Sequence, residues 1–219
     1  MTLTTIKLET APKPTVSIIW MHGLGADGND FVPIVKELDL TGCPPIRFVF
    51  PNAPQIPVTV NGGYVMPAWY DIRSADLANR EDEAGLRASQ AAIEELIAIE
   101  RANGAEKIIL AGFSQGCAMT LQTGLRQSGK IAGLLCLSGY LPLPQTAAQE
   151  GVVNKDIPIF MAHGRADPVV LFQRATQSRD LLTQLGYKIE WHDYAMQHSV
   201  CLEEIADIGA WLRRVLKEF

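Results

Sequence analysis

"KIILAGFSQGCAM", residues 107–119, runs from an apolar stretch through a serine flanked by glycines into a helical pattern. Apolar residues on consecutive positions from Ile108 to Ala111 suit a strand covered on both faces, as in a parallel sheet. The following "CAMTLQTGLRQ" reads as a helix. Ser114 therefore falls in a strand-to-helix turn, the setting in which G-x-S-x-G forms a nucleophile elbow. The turn strains the serine backbone, and Gly112 and Gly116 let strand and helix approach. The helix N-terminus favours negative charge developing beside the serine. "GFSQG" alone is only a glycine-rich turn, so the rest of the chain decides.

Working outward, five more strand-like runs appear: 16–22, 47–50, 131–139, 157–164 and 187–194. Helical patterns separate them. Leu86, Ile93, Leu96 and Ile97 form one stripe, with acidic residues at its start ("REDE") and Asn103-Gly104 at its end. Ile205, Ile208, Leu212 and Val215 form a stripe in the last helix. Alternation of strands and helices implies right-handed βαβ units in an open, mostly parallel twisted sheet with helices on both faces. Positions 51–80 are the exception, a proline-rich excursion with a hairpin pattern around Asn61-Gly62-Gly63. A long ordered excursion is usually functional.

The 219 residues suit one α/β domain, 1–219, with no repeat and no low-complexity tail. Apolar residues make up 47 % and charged residues 20 %, which excludes a disordered or fibrous chain. A net charge of −5 with no basic tract argues against nucleic acid or anionic membrane as partner. The N-terminus lacks a signal-peptide core, and "VSIIWM" is too short to span a bilayer. Cys43, Cys117, Cys136 and Cys201 are scattered, which fits reduced thiols. The expectation is a soluble, cytoplasmic protein. No metal-binding spacing appears among the histidines, and no dinucleotide or calcium loop is complete.

Ligand sites in open α/β sheets gather at the carboxyl ends of the strands. There the chain places Ser114, then Asp167 in "HGRADPVV", then His198 in "MQHSV". Of the four histidines, His22 and His163 stand at strand ends and His192 inside a strand. His198 alone sits in a loop free to bring its ring over the serine. Asp167 follows the penultimate strand and is the orienting acid. Asp193 is the rival, and Asp156 stands at the wrong edge. An oxyanion hole needs two backbone N–H groups, read as Gln115, next to the serine, and Leu24 in "HGLGADGND".

The stretches "IIWMHGLGADGNDF", "RFVFPNAPQIPVTVNGGYVMPAWYDI", "ILAGFSQGCAM", "LSGYLP", "HGRADPVV" and "WHDYAMQHSVCLEEIADIGAWL" cover nearly the whole chain from about residue 16. On them the chain resembles the carboxylesterase, acyl-protein thioesterase and lysophospholipase family of small α/β-hydrolases, the bacterial carboxylesterase branch looking closest. The resemblance implies an α/β-hydrolase fold without a large lid domain and without a cofactor. It implies Ser114, Asp167 and His198 as triad and the Leu24 and Gln115 N–H groups as oxyanion hole. It also implies a serine carboxylesterase acting on short to medium acyl esters through an acyl-enzyme. The alternative is an acyl-protein thioesterase or lysophospholipase, acting on acylated protein or lysophospholipid. A non-catalytic binding module of the same fold would not need serine, acid and base together.

Two departures from the family pattern stand out. Cys117 and Gln197 occupy positions where such proteins usually carry glycine. Cys117 is expected to be a small residue packed against the sheet, while Gln197 would restrict the His198 loop or touch the leaving group. The acyl chain is expected along Leu24, Met66, Trp69, Tyr140 and Val170, with the 51–80 excursion as a wall. Exposed apolar loops leave a homodimer open.

Overall fold

The computed structural model describes residues 3–74, 81–151 and 155–217. Strand β1 (Thr5–Glu9) is followed by β2 (Val16–Met21) and, after a short 3₁₀ turn at Val32–Lys36, by β3 (Ile46–Pro51). The excursion then forms a two-stranded antiparallel ribbon, β4 (Gln55–Val58) and β5 (Tyr64–Pro67). Val58 faces Tyr64 across the Asn61-Gly62-Gly63 turn, as the hairpin pattern predicts. The end of the excursion, 75–80, lies outside the described residues. From there the chain runs α1 (Glu83–Ala102), β6 (Lys107–Phe113), α2 (Gln115–Arg126), β7 (Gly133–Leu137) and α3 (Pro144–Glu150). It ends with β8 (Ile159–Gly164), α4 (Phe172–Gln184), β9 (Ile189–Tyr194) and α5 (Leu202–Lys217).

Seven strands form one sheet in the order β1-β3-β2-β6-β7-β8-β9. All neighbours are parallel except β1, which pairs antiparallel with β3 at the edge. The period of two along each central strand divides the core. Ile108 and Leu110 of β6, with Leu134 of β7 and Met161 of β8, join Leu86 and Ile93 of α1 and Leu121 of α2. Ile109, Leu135 and Phe160 point the other way and meet Ile208, Trp211 and Leu212 of α5. Each fully buried side chain of this size contributes about 1.5–3 kcal/mol. Helices thus cover both faces, and the strands read as apolar on successive residues because neither face meets water. This is the α/β-hydrolase fold, with no large lid domain among the described residues.

A buried charge ties the edge together. Glu100, at the end of α1, is fully buried and accepts hydrogen bonds from Lys7 at 2.7 Å, Ser17 at 2.7 Å and Arg47 at 3.1 Å. Burial pushes its carboxyl up, but these donors outweigh that and hold it below its ordinary value. Three strands are thereby pinned to one helix.

Candidate active site

The parallel strands deliver their polar residues to one edge. Ser114 sits between β6 and α2 with φ 56° and ψ −116°. A non-glycine residue in such a backbone costs about 1–3 kcal/mol, so the surroundings must impose it. They do so by close approach. A methyl group on Gly116 would lie 2.1 Å from the Met21 carbonyl oxygen, and one on Gly112 would lie 2.2 Å from the Gly116 carbonyl oxygen. The Ser114 N–H donates to the Leu137 carbonyl at 2.9 Å, locking the turn to β7.

His198 reaches the serine from the loop between β9 and α5. Its Nε2 lies 2.9 Å from Ser114 Oγ, and its Nδ1 lies 2.7 Å from Asp167 Oδ2. A carboxylate only accepts, so Nδ1 carries the hydrogen and Nε2 is left to accept from the serine. The loop is held by backbone bonds: Arg165 N–H to Tyr194 O at 2.9 Å and Ala166 N–H to Met196 O at 3.1 Å. One face of the imidazole packs on Phe113, with ring centroids 4.8 Å apart.

Asp167 is buried, and its other oxygen, Oδ1, accepts from the N–H groups of Val169 at 2.8 Å and Val170 at 2.9 Å. Beneath it, the His163 ring donates from Nε2 to the Val170 carbonyl at 2.8 Å and passes 3.3 Å from Asp167 Oδ2. Burial lowers the pKa of His163, which favours a neutral ring there. His163 thus fixes the loop that presents the acid. Asp193, the rival, instead pairs with Arg165 at 2.6 Å on the surface. His192 stacks on Phe160, with centroids 4.8 Å apart, and contacts Glu190 and Asp207.

The loop after β2 runs beside the serine. A methyl group on Gly23 would touch Ser114 Cβ at 3.4 Å. Among the described residues neither the Leu24 N–H nor the Gln115 N–H has a protein acceptor. Gln115 is the first residue of α2, where N–H groups are left over by helix geometry. His22 stiffens the base of this loop. Its Nδ1–H donates to the Gly23 carbonyl at 2.7 Å, and its Nε2 accepts the Ala53 N–H at 3.1 Å. Burial keeps that ring below its ordinary pKa.

Of the residues expected along the acyl chain, Met66 is half-buried. It lies on β5 against Gly25, whose N–H donates to the Pro67 carbonyl at 2.9 Å. Val60, Tyr64 and Val65 of the same hairpin are exposed. Trp69, Tyr140 and Val170 lie instead in the packed interior, each no more than 3 % exposed. Trp69 Nε1–H donates to the His22 carbonyl at 2.9 Å, and its carbonyl accepts from Ser89 Oγ. Tyr140 and Tyr70 share a hydroxyl hydrogen bond of 2.8 Å, and burial pushes the Tyr140 phenol up to about 12. The Gln115 side chain, which the sequence reading considered only for its backbone, clamps the same segment. Its Oε1 accepts the Trp69 N–H at 2.8 Å, and its Nε2 donates to the Tyr70 carbonyl at 2.8 Å. Cys117 is buried under Gly139, and the Gln197 side chain is exposed. Among the described residues no group of three or more His, Cys, Asp or Glu could hold a metal ion. Nor is any helix among them long and apolar enough to cross a membrane.

The chain matches the phospholipase/carboxylesterase family over residues 5–216 and belongs to that family. It is 42 % identical to acyl-protein thioesterase 1 of Neurospora crassa over 215 residues, which cover 90 % of this chain and 86 % of that one. The crystal structure of Arabidopsis thaliana SOBER1 superimposes with a TM-score of 0.85 at 30 % identity, covering 92 % of this chain and 99 % of that one. That of Zea mays acyl-protein thioesterase 2 does so with a TM-score of 0.82 at 29 % identity, covering 96 % and 99 %. The chain is a serine hydrolase acting on acyl ester or thioester bonds.

Proposed function

We propose that this protein removes acyl groups from S-acylated proteins. Ser114 acts as nucleophile, His198 as general base and acid, Asp167 as orienting acid, and the Leu24 and Gln115 N–H groups as oxyanion hole. The observation that carries the reading is the hydrogen-bonded line from Asp167 through His198 to Ser114, at 2.7 and 2.9 Å, on a serine held in a strained turn. Names of the similar proteins favour the thioesterase over the generic carboxylesterase first expected.

Ser114 Oγ attacks the acyl carbonyl carbon as its proton passes to His198 Nε2. The carbonyl oxygen, now negative, meets the two N–H groups, each worth ~10²–10³ in rate. The tetrahedral intermediate collapses, the C–S bond breaks, and the proton on Nε2 passes to the departing thiolate. Water, deprotonated by His198, then releases the fatty acid and restores the serine hydroxyl. Asp167 stays ionised throughout and holds the imidazole.

The acyl chain is placed against Met66 and the exposed apolar side of the hairpin, with Trp69, Tyr140 and Val170 as the packed wall behind. Four free cysteines support a reducing compartment such as the cytoplasm. The test is a panel of matched esters and thioesters of increasing acyl length, with Ser114→Ala as control. A fluorophosphonate should label the protein once, at Ser114. Retention of turnover or labelling by Ser114→Ala would overturn the catalytic assignment. A strong preference for short oxygen esters over S-acyl peptides would return the protein to the carboxylesterase reading.

A further inference from the structure

An open cleft of about 430 Å³ borders His198 on a side that the reaction above leaves unassigned. Its walls include Phe31, Phe113 and Val200, its catalytic edge is His198, and its rim carries Asp30 and Glu37. None of Leu24, Met66, Trp69, Tyr140 or Val170 lines it, so it is separate from the surface placed against the acyl chain. The volume is in the range of small-molecule sites, about 300–1,000 Å³. The departing sulfur must receive its proton from His198 Nε2, so the chain attached to that sulfur leaves past this histidine.

Charge decides what that chain carries. Asp30 and Glu37 are exposed and pair with no cation among the described residues. The Phe31 and Phe113 rings, with centroids 5.5 Å apart, add aromatic surface of the kind that attracts a cationic head. Carboxylates above an apolar, aromatic wall suit a long side chain with an apolar stem and a positive end.

We propose that this cleft receives the peptide side of the substrate and selects S-acyl cysteines that have a lysine or arginine close by in sequence. The inference rests on the thioesterase reading and names its substrate class. The carboxylates act through binding and orientation, and no proton or electron passes through them.

The experiment uses the full chain and S-octanoyl peptides that are identical except at the two positions flanking the acyl cysteine. These hold arginine, norleucine or glutamate. Values of kcat/KM are referred to active sites titrated with a fluorophosphonate, which corrects for any loss of folded enzyme. The arginine peptide should exceed the norleucine peptide by about three- to tenfold, and the glutamate peptide should fall below both. The arginine preference should shrink at about 1 M salt, where the screening length is about 3 Å. It should also shrink in Asp30→Asn with Glu37→Gln. Equal rates for arginine and norleucine peptides, or a preference unaltered by both salt and substitution, would overturn this inference and leave the thioesterase reading standing. No turnover of any peptide, with p-nitrophenyl octanoate still hydrolysed, would defeat the thioesterase reading itself. Octanoyl lysophosphocholine is the comparison source of positive charge. If its rate alone falls in the double variant, the cleft serves a lipid headgroup and the peptide assignment is overturned.

Discussion

Asp167→Asn separates the orienting role of the acid from its structural role. In the native protein Oδ1 accepts two backbone N–H groups, from Val169 and Val170, while Oδ2 accepts one from His198 Nδ1. An asparagine has only one acceptor oxygen. Two backbone donors at 2.8 and 2.9 Å compete for it against one ring donor. The amide oxygen therefore takes the Oδ1 place, and the amide NH₂ faces His198. Nδ1 must then accept, which moves the ring hydrogen to Nε2. Ser114 Oγ now meets a donor and has nowhere to send its proton. The expected loss in kcat/KM is ~10³–10⁴, the scale known for such tautomer traps. That corresponds to about 4–5.5 kcal/mol of lost transition-state stabilisation. The assay is S-octanoyl peptide hydrolysis at pH 7, with a thermal melt on the same sample. Asp167→Ala is the companion. It should be just as inactive but clearly less stable, because the Val169 and Val170 N–H groups lose their acceptor at about 1–3 kcal/mol each. A folded Asp167→Asn enzyme that keeps more than about a tenth of wild-type kcat/KM would refute the tautomer argument. Asp193→Asn, which disturbs the surface pair with Arg165 and the 3.3 Å hydrogen bond from the Trp191 indole, is expected to stay within about twofold.

Three further outcomes follow from packing and charge. Gly116→Ala places a methyl group 2.1 Å from the Met21 carbonyl oxygen, so the protein should lose more than about 3 kcal/mol in urea unfolding or fail to fold. Trp69→Ala removes a buried indole and its bond to the His22 carbonyl, and should cost about 3–5 kcal/mol alongside any change in acyl-length profile. Glu204, in the first turn of α5, is fully buried, and neither oxygen has a well-formed hydrogen bond among the described residues. Burial raises its carboxyl to about 8 from an ordinary 4.5. The folded protein therefore holds a proton that the unfolded chain releases. That stability is fully present below 4.5 and is lost as pH rises to about 8. Glu204→Gln should flatten the alkaline decline, with a difference of at most ~5 kcal/mol by pH 9. Parallel pH–stability curves for the two proteins would count against a protonated Glu204.

What could be read from the chain depended on how far each element's chemistry is local. The central strands declared themselves because Ile108 to Ala111 and Leu134 to Leu137 are apolar on both faces. The elbow did so because glycine is the only residue that fits where Gly116 crosses Met21. Elements at the margins were silent. In β1 the pattern is half-exposed and only five residues long, so it looks like a polar N-terminal segment. In α4 the buried positions are Ala175, Ser178 and Leu182, too small and polar to make a stripe. The position of Trp69 was also unreadable. An aromatic residue in an excursion looks like a pocket liner, yet Gln115, His22 and Ser89, distant in sequence, draw its backbone and indole inward.

The same distinction bears on specificity. The groups proposed to react stand at or just after strand ends, where sequence order and sheet geometry predict them together. The acidic cleft is different, because Asp30 and Glu37 come from the segment around the Val32–Lys36 turn, while His198 comes from the far end of the chain. No spacing in the sequence links them. The proposed catalytic residues Ser114, Asp167 and His198 are each placed locally, at or just after a strand end. The proposed selection of the leaving group would rest on a wall assembled from loops, where side chains change at small cost to the sheet. Exchanging Asp30 and Glu37 for lysine should therefore redirect the enzyme toward acidic S-acyl peptides without lowering its melting temperature by more than a few degrees, since neither side chain is buried. A melting temperature that fell sharply would mean that these carboxylates hold the fold instead of choosing the substrate.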